Sequence, residues 1–239
     1  NSGLRSKGVQ EINIIDMVKP ITKYAVTIDK PEDIKFHLEM AIHLAKSGRP
    51  GPVWLDIPAN IQNAQVNPAE LIGYIAPIMK EEPSADLLNQ VEEVVSLLSK
   101  AKRPLIHVGQ GIRISRAEQE LFKLIEKFHI PFVTARNGND LTGYDHPLYA
   151  GHPGTFAQRG ANFAVQTSDF YLAIGTRLSL AQTGYNAKDY ARNAKVVMVD
   201  IDRAELEKDT VPLFLKIQSD AKIFLNCLNL RLENEAFEK

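Results

Sequence analysis

The chain has 239 residues, 44% of them hydrophobic and 24% charged, which suits one large globular domain or one domain plus a piece of another. Lys and Arg total 28 against 29 Asp and Glu, and the net charge of −1 argues against nucleic acid or a membrane surface as partner. A single cysteine, Cys227, excludes an internal disulfide framework and any cysteine-based zinc site.

No apolar run approaches the roughly 20 residues that span a bilayer, and the start lacks a signal-peptide core, so the cytoplasm is the expected location. The opening NSGLRSKG has no initiator methionine and reads as a piece of a longer chain. The first legible helix opens at Pro31, with Glu32 and Asp33 in its first turn and Gly48 past its end. Ile34, Leu38, Ala41, Ile42 and Ala45 share one face, while His37 and His43 fall on the polar side and read as surface. SGRPGPVWLDIP (47–58) follows: two glycines and two prolines stiffen a loop around Arg49, which runs into a strand at 53–57 that reads as buried. Taken alone, Arg49 is a solvated turn residue. Residues 59–83 carry no sustained periodicity and are the candidate linker.

Beyond the linker the pattern becomes regular. A helix over 85–100 places Leu88, Val91, Val94, Val95 and Leu98 at helical spacing, and Pro104–Val108 is a strand. Ser115 and Glu118 have capping-box spacing, and the helix they open buries Leu121, Leu124, Ile125 and Phe128. Strands are expected at 131–134, 170–174, 195–199 and about 213–217, with helices near 155–167 and 220–232. Short apolar strands alternating with amphipathic helices predict an α/β protein with a doubly wound, six-stranded parallel sheet covered on both faces.

In such a sheet ligands bind beyond the carboxyl ends of the strands. Here those ends run into Gly109-Gln110-Gly111, Gly175-Thr176-Arg177 and Asp200-Ile201-Asp202, and Gly151-His152-Pro153-Gly154-Thr155 opens a further helix. Glycines let a backbone approach a phosphate, and an arginine offers pyrophosphate a bidentate fork. Each has a plainer reading. Gly109-Gln110-Gly111 lacks the third glycine of the dinucleotide fingerprint. Arg177 can pair with a neighbouring carboxylate, Asp202 can be a solvated turn, and His152 reads as a loop residue. Their convergence on one sheet edge favours a nucleotide-sized anionic ligand.

SGRPGPVWLDIP, together with VQEINIIDMVKPITKYAV (9–26), resembles the closing part of the first domain of thiamine-diphosphate enzymes of the acetolactate synthase type. Gln10, Glu11, Thr22 and Lys23 match that segment. Residues 84–232 resemble the family's central domain through the glycines of Val-Gly-x-Gly, Gly154-Thr155, Ile-Gly-x-Arg at 174–177 and Val-Asp-Ile-Asp at 199–202. The resemblance implies residues 1–62 as the end of the pyrimidine-binding domain, 63–83 as linker, 84–232 as the central domain and 233–239 as a tail. It implies an enzyme that decarboxylates a 2-oxo acid such as pyruvate and passes a two-carbon unit to a carbonyl acceptor, as a homo-oligomer (dimer or tetramer). By the same matching, flavin adenine dinucleotide (FAD) occupies the central domain, contacted by Arg49, Gly109, Gly111, Gly154, Thr155, Gly175, Arg177, Asp200 and Asp220. Thiamine diphosphate and Mg2+ are implied for the full-length enzyme. The activating glutamate would precede Asn1 and the Gly-Asp-Gly motif would follow Lys239, so no catalytic residue is expected in this chain and the fragment alone is expected to be inactive.

The sequence departs from that family at Val9, where an aromatic is usual, at Pro153 in place of a histidine, and at Leu178–Gln182 in place of an acidic run; 156–161 is about three residues longer. These departures point to a different acceptor, such as a keto sugar. Two other readings compete. One is a non-catalytic nucleotide-binding or assembly domain of a flavin-free relative. The other is a deacylase of similar fold, which would carry a four-cysteine zinc site and is excluded by the lone Cys227.

Overall fold

The computed structural model describes residues 12–77 and 82–234; Val9, Gln10, Glu11 and residues 235–239 lie outside the described residues. The chain divides into two compact units, 1–80 and 81–239.

In the first unit α1 (Ile14–Val18) leads through a 3₁₀ turn into β1 (Tyr24–Thr27), followed by α2 (Ile34–Lys46), β2 (Val53–Asp56) and the short α3 (Ala59–Gln62). The strands pair in parallel, with Tyr24 opposite Val53 and Thr27 opposite Asp56. The stiff loop between α2 and β2 is stapled by one lysine. Lys23 Nζ donates to the carbonyls of Ser47 (2.7 Å) and Arg49 (3.0 Å), and the Lys23 amide donates to Pro52 O (2.8 Å). Two expectations are corrected here. β2 is not buried, since Trp54 is 42% exposed. The expected face of α2 holds in part: Ala41 is buried and Ile34 and Ala45 half-buried, but Leu38 and Ile42 are exposed. The histidines are not surface, since His37 Nδ1 lies 2.6 Å from the Tyr24 hydroxyl and His43 packs on the Tyr74 ring. A two-stranded sheet covers only one side of a helix, and the aromatic residues around this one receive the histidine rings.

The second unit runs α4 (Ala85–Lys100), β3 (Pro104–Val108), α5 (Gln110–Ile114), α6 (Glu118–Phe128), β4 (Phe132–Thr134), α7 (Arg159–Thr167), β5 (Phe170–Ile174), α8 (Leu180–Thr183), β6 (Lys195–Asp200), α9 (Arg203–Leu206), β7 (Leu215–Gln218) and α10 (Ala221–Asn234). The strands form one parallel sheet in the order β4-β3-β5-β6-β7. Alternate side chains of the fully buried β5 face opposite ways. Phe170, Leu172 and Ile174 join a core with α4, α6 and α10, whereas Tyr171 and Ala173 join another with α7 and Leu206 of α9. Period-2 alternation therefore splits one apolar run between two helical layers, and helices cover both faces as expected.

The sheet has five strands among the described residues, not six. The sixth position, outside β4, is held by the segment 148–151: Phe132 N donates to Leu148 O (3.0 Å), Ala150 N to Phe132 O (2.9 Å) and Thr134 N to Gly151 O (3.1 Å), with a single parallel bridge joining Phe132 to Tyr149. Pro147 has no N–H to donate, and Gly151, at φ +100°, turns the chain away. Two further corrections concern helix starts. Ser115 does not cap α6; its hydroxyl donates to Ile112 O (3.1 Å) at the end of α5, and Ala117 occupies the cap position. The helix expected from 155 begins at Arg159.

Candidate functional site

The strand order reverses between β3 and β5: the chain proceeds outward from β3 to β4, then returns to the other side of β3 at β5. Such a switch point leaves a crevice beyond the strand ends, because the two connections leave in opposite directions. A cleft of about 300 Å³ lies there, walled by Gly109 and Gln110 after β3, Ala135–Asn137 after β4, His152–Gly154 with Phe156, and Gly175–Arg177 with Gln182 after β5.

Of the residues expected at the site, Gly109, Gly154, Gly175 and Arg177 line this cleft; Thr155 lines an adjoining hollow that shares Gly154 and Gln182. Gly111 lies behind the wall, packed on Gly175. Asp200 and Asp220 do not line the cleft. The Asp200 carboxylate accepts from the Asp202 amide (2.9 Å), and Asp220 Oδ1 accepts from the amides of Lys222 (2.8 Å) and Ile223 (3.3 Å), capping α10. Asp202 caps α9 through the Ala204 amide (2.9 Å). Arg49 belongs to the other unit and is exposed in its own loop.

The amides of the expected glycines and of Thr155 are used within the protein. The Gly109 N–H donates to Ile174 O (3.1 Å), Gly111 to Gly175 O (3.0 Å), Gly154 to Asn162 Oδ1 (2.9 Å), Thr155 to Ala181 O (2.9 Å) and Gly175 to Val199 O (2.9 Å). Arg177 uses one of its five N–H groups within the protein. Its Nε donates to Glu205 Oε1 at 2.7 Å, and Glu205, only 4% exposed, also receives Lys208 Nζ. The plainer reading of Arg177, pairing with a carboxylate, is what the structure shows.

Two other cleft residues have capacity to spare. Arg136, on the turn after β4, is exposed and makes no side-chain hydrogen bond or ion pair among the described residues. His152 has a buried Nδ1 with no hydrogen-bond partner there, although its amide is held by Gln158 Oε1 (2.8 Å). A buried polar atom without a partner costs free energy. Arg136 was not singled out from the sequence; its place at the end of a strand, in a Gly/Asn/Asp-rich loop, was the available signal. Also unforeseen is a buried polar file beneath the cleft: Gln182, His107, Tyr171 and Tyr190.

This architecture is a doubly wound domain with a cleft at its switch point. The family model for the thiamine pyrophosphate enzyme central domain matches residues 91–228, and the chain belongs to that family. It is 35% identical over 224 residues to the "Probable acetolactate synthase large subunit" of Methanococcus aeolicus, covering 90% of this chain and 36% of that protein. It is 36% identical over 220 residues to the acetolactate synthase of Arthrospira platensis (87% and 36%) and over 235 residues to acetolactate synthase 1, chloroplastic, of Zea mays (96% and 36%). The chain thus spans about a third of the length of the curated relatives it matches. Among the described residues no helix is long and apolar enough to cross a membrane, and no cluster of three or more His, Cys, Asp or Glu is placed to hold a metal ion.

Proposed function

We propose that this chain is a portion of a thiamine-diphosphate-dependent enzyme of the acetolactate synthase type: the end of the pyrimidine-binding domain (1–62), a linker (63–83), the central domain (84–232) and a tail (233–239). The full-length enzyme decarboxylates a 2-oxo acid such as pyruvate and transfers the two-carbon unit to a carbonyl acceptor. It works as a homo-oligomer, with thiamine diphosphate and Mg2+ bound by other segments. The central domain's part is to hold an adenine dinucleotide, FAD, in the cleft at the β3/β5 switch point. One observation carries this reading: the exposed Arg136 guanidinium, which has no side-chain partner among the described residues, lines the cleft and offers a cation for a diphosphate.

A second, flavin-free reading is favoured by a different observation. The amides of Gly109, Gly111, Gly154, Thr155 and Gly175, five of those in the expected phosphate loops, already donate to protein acceptors. Titrating the chain with FAD, following flavin fluorescence with ADP as competitor, separates the two. Saturable binding reversed by ADP supports the dinucleotide reading; no binding of either supports the flavin-free one.

A further inference from the structure

The cleft stands on a histidine that water does not reach. His107, at the end of β3, is fully buried, and burial lowers its pKa to about 3, so the ring is neutral with one donor and one acceptor nitrogen. Which nitrogen carries the proton follows from its neighbours. Gln182 Oε1 accepts from the Ser179 amide (3.2 Å), completing the capping box of α8, which leaves Gln182 Nε2 facing His107 Nε2 at 3.2 Å. An amide nitrogen only donates. His107 Nε2 is therefore the acceptor, and the proton sits on Nδ1. From there it is donated to the Tyr171 hydroxyl, which passes its own proton to Tyr190 Oη (2.8 Å). The hydrogen bonds run one way, from the cleft wall into the core.

The wall depends on this file. Gln182 belongs to α8, and the Ala181 carbonyl of that helix accepts the Thr155 amide (2.9 Å). Gly154 fits against the same carbonyl so closely that a Cβ there would lie 2.6 Å from it. Moving α8 would move both loops.

We propose that His107 is the positioning residue of the cleft: by accepting a hydrogen bond from Gln182 it holds α8, and through α8 the Gly154–Thr155 turn, in the arrangement that forms the ligand wall. Only the identity of the ligand rests on the proposed function; the positioning itself is testable without one.

The test is a long-range 1H–15N spectrum of the 15N-histidine-labelled chain, with His107→Gln for assignment, together with amide hydrogen exchange. The expected result is one neutral histidine protonated on Nδ1 that does not titrate between about pH 5.5 and 8. Gln182→Glu keeps an acceptor for the Ser179 amide but removes the donor to His107. It is expected to move the proton to Nε2 or make the ring titrate, and to speed Thr155 amide exchange on the order of tenfold. Amides of β5 and β6 should keep their protection, and FAD or ADP affinity should fall with the Thr155 protection. An Nε2-protonated His107 in the unsubstituted chain, or unchanged Thr155 exchange in Gln182→Glu, overturns the proposal. If neither FAD nor ADP binds the unsubstituted chain, the dinucleotide reading fails, while the spectrum and the exchange rates still decide the role of His107.

Discussion

Gly111 and Gly175 meet backbone to backbone. A Cβ on Gly111 would stand 2.5 Å from the Gly175 Cα, and one on Gly175 would stand 2.6 Å from the Gly111 Cα. The turn after β3 is thereby keyed into the turn after β5, and the Gly111 amide donates to the Gly175 carbonyl at 3.0 Å. No side chain fits between them, and Gly175 also sits at φ +57°. Backbone atoms cannot swing aside as a flexible side chain can.

Gly111→Ala and Gly175→Ala are expected to destabilise the chain by roughly 2–4 kcal/mol each, because the two turns must separate. Gly48 is the control. It has φ +55° but open space around its Cα, so Gly48→Ala should lose only about 1 kcal/mol, the strain of the left-handed backbone. Urea unfolding followed by circular dichroism measures all three. A Gly111→Ala loss no larger than that of Gly48→Ala would remove the close approach from the account.

His107 makes stability depend on acid in a defined direction. Its folded pKa of about 3 lies below the ordinary value of 6.5. As pH falls through 6.5 the unfolded chain takes up a proton that the folded chain refuses, so stability declines toward acid by about 1.4 kcal/mol per pH unit. The decline from this group stops only near pH 3, where the buried ring protonates. Between pH 7.5 and pH 5.0 the chain should lose about 2 kcal/mol more than His107→Gln, whose amide does not titrate. Equal losses in the two proteins would mean that His107 is solvated.

Arg136 and Arg177 should separate binding from stability. Arg136→Ala is expected to weaken FAD or ADP binding by roughly 1.5–3 kcal/mol and to leave the melting temperature unchanged, since its side chain supports nothing else among the described residues. Arg177→Ala takes one of two cations from the buried Glu205 carboxylate. Because the Arg177 side chain is 61% exposed and Lys208 remains, the cost should be modest, about 1 kcal/mol, with little change in affinity. The reverse pattern, binding lost with Arg177 and kept without Arg136, would put the anion on the arginine expected from the sequence.

Much of the second unit was legible before any coordinates. The helix at 85–100 and the strand at 104–108 lie where the apolar spacing put them, and the family resemblance agrees with the matched model over 91–228. A strand buried on both faces is a continuous apolar run, and a helix lying on it shows one apolar stripe; both signals come from residues near one another in sequence. β1 was missed for the same reason. Its four residues are only half-buried, and the partner that makes them a strand, β2, lies about 30 residues away. The lost sixth strand shows the limit from the other side, since the segment 148–151 beside β4 forms a single bridge and a few hydrogen bonds between a proline and a positive-φ glycine, too short an apolar run to register as a strand.

For the site, the sequence by itself pointed to the carboxyl ends of the strands, because alternating apolar strands and amphipathic helices imply a parallel sheet whose strand ends lie together. The strand order, and with it the β3/β5 switch point, came from the tertiary structure. Only the tertiary structure decided what each residue there does. Arg177 Nε is held by Glu205, 28 residues away, the amides of Gly109, Gly111, Gly154, Thr155 and Gly175 donate to carbonyls and to Asn162, and Gln182 is tied to His107 across 75 residues. Hydrogen-bonding capacity is written in the residue type, but it is assigned by competition among groups that meet only when the strands come together. What remains after that competition, the Arg136 guanidinium and the Arg177 N–H groups that do not bond Glu205, is what the cleft can offer a ligand.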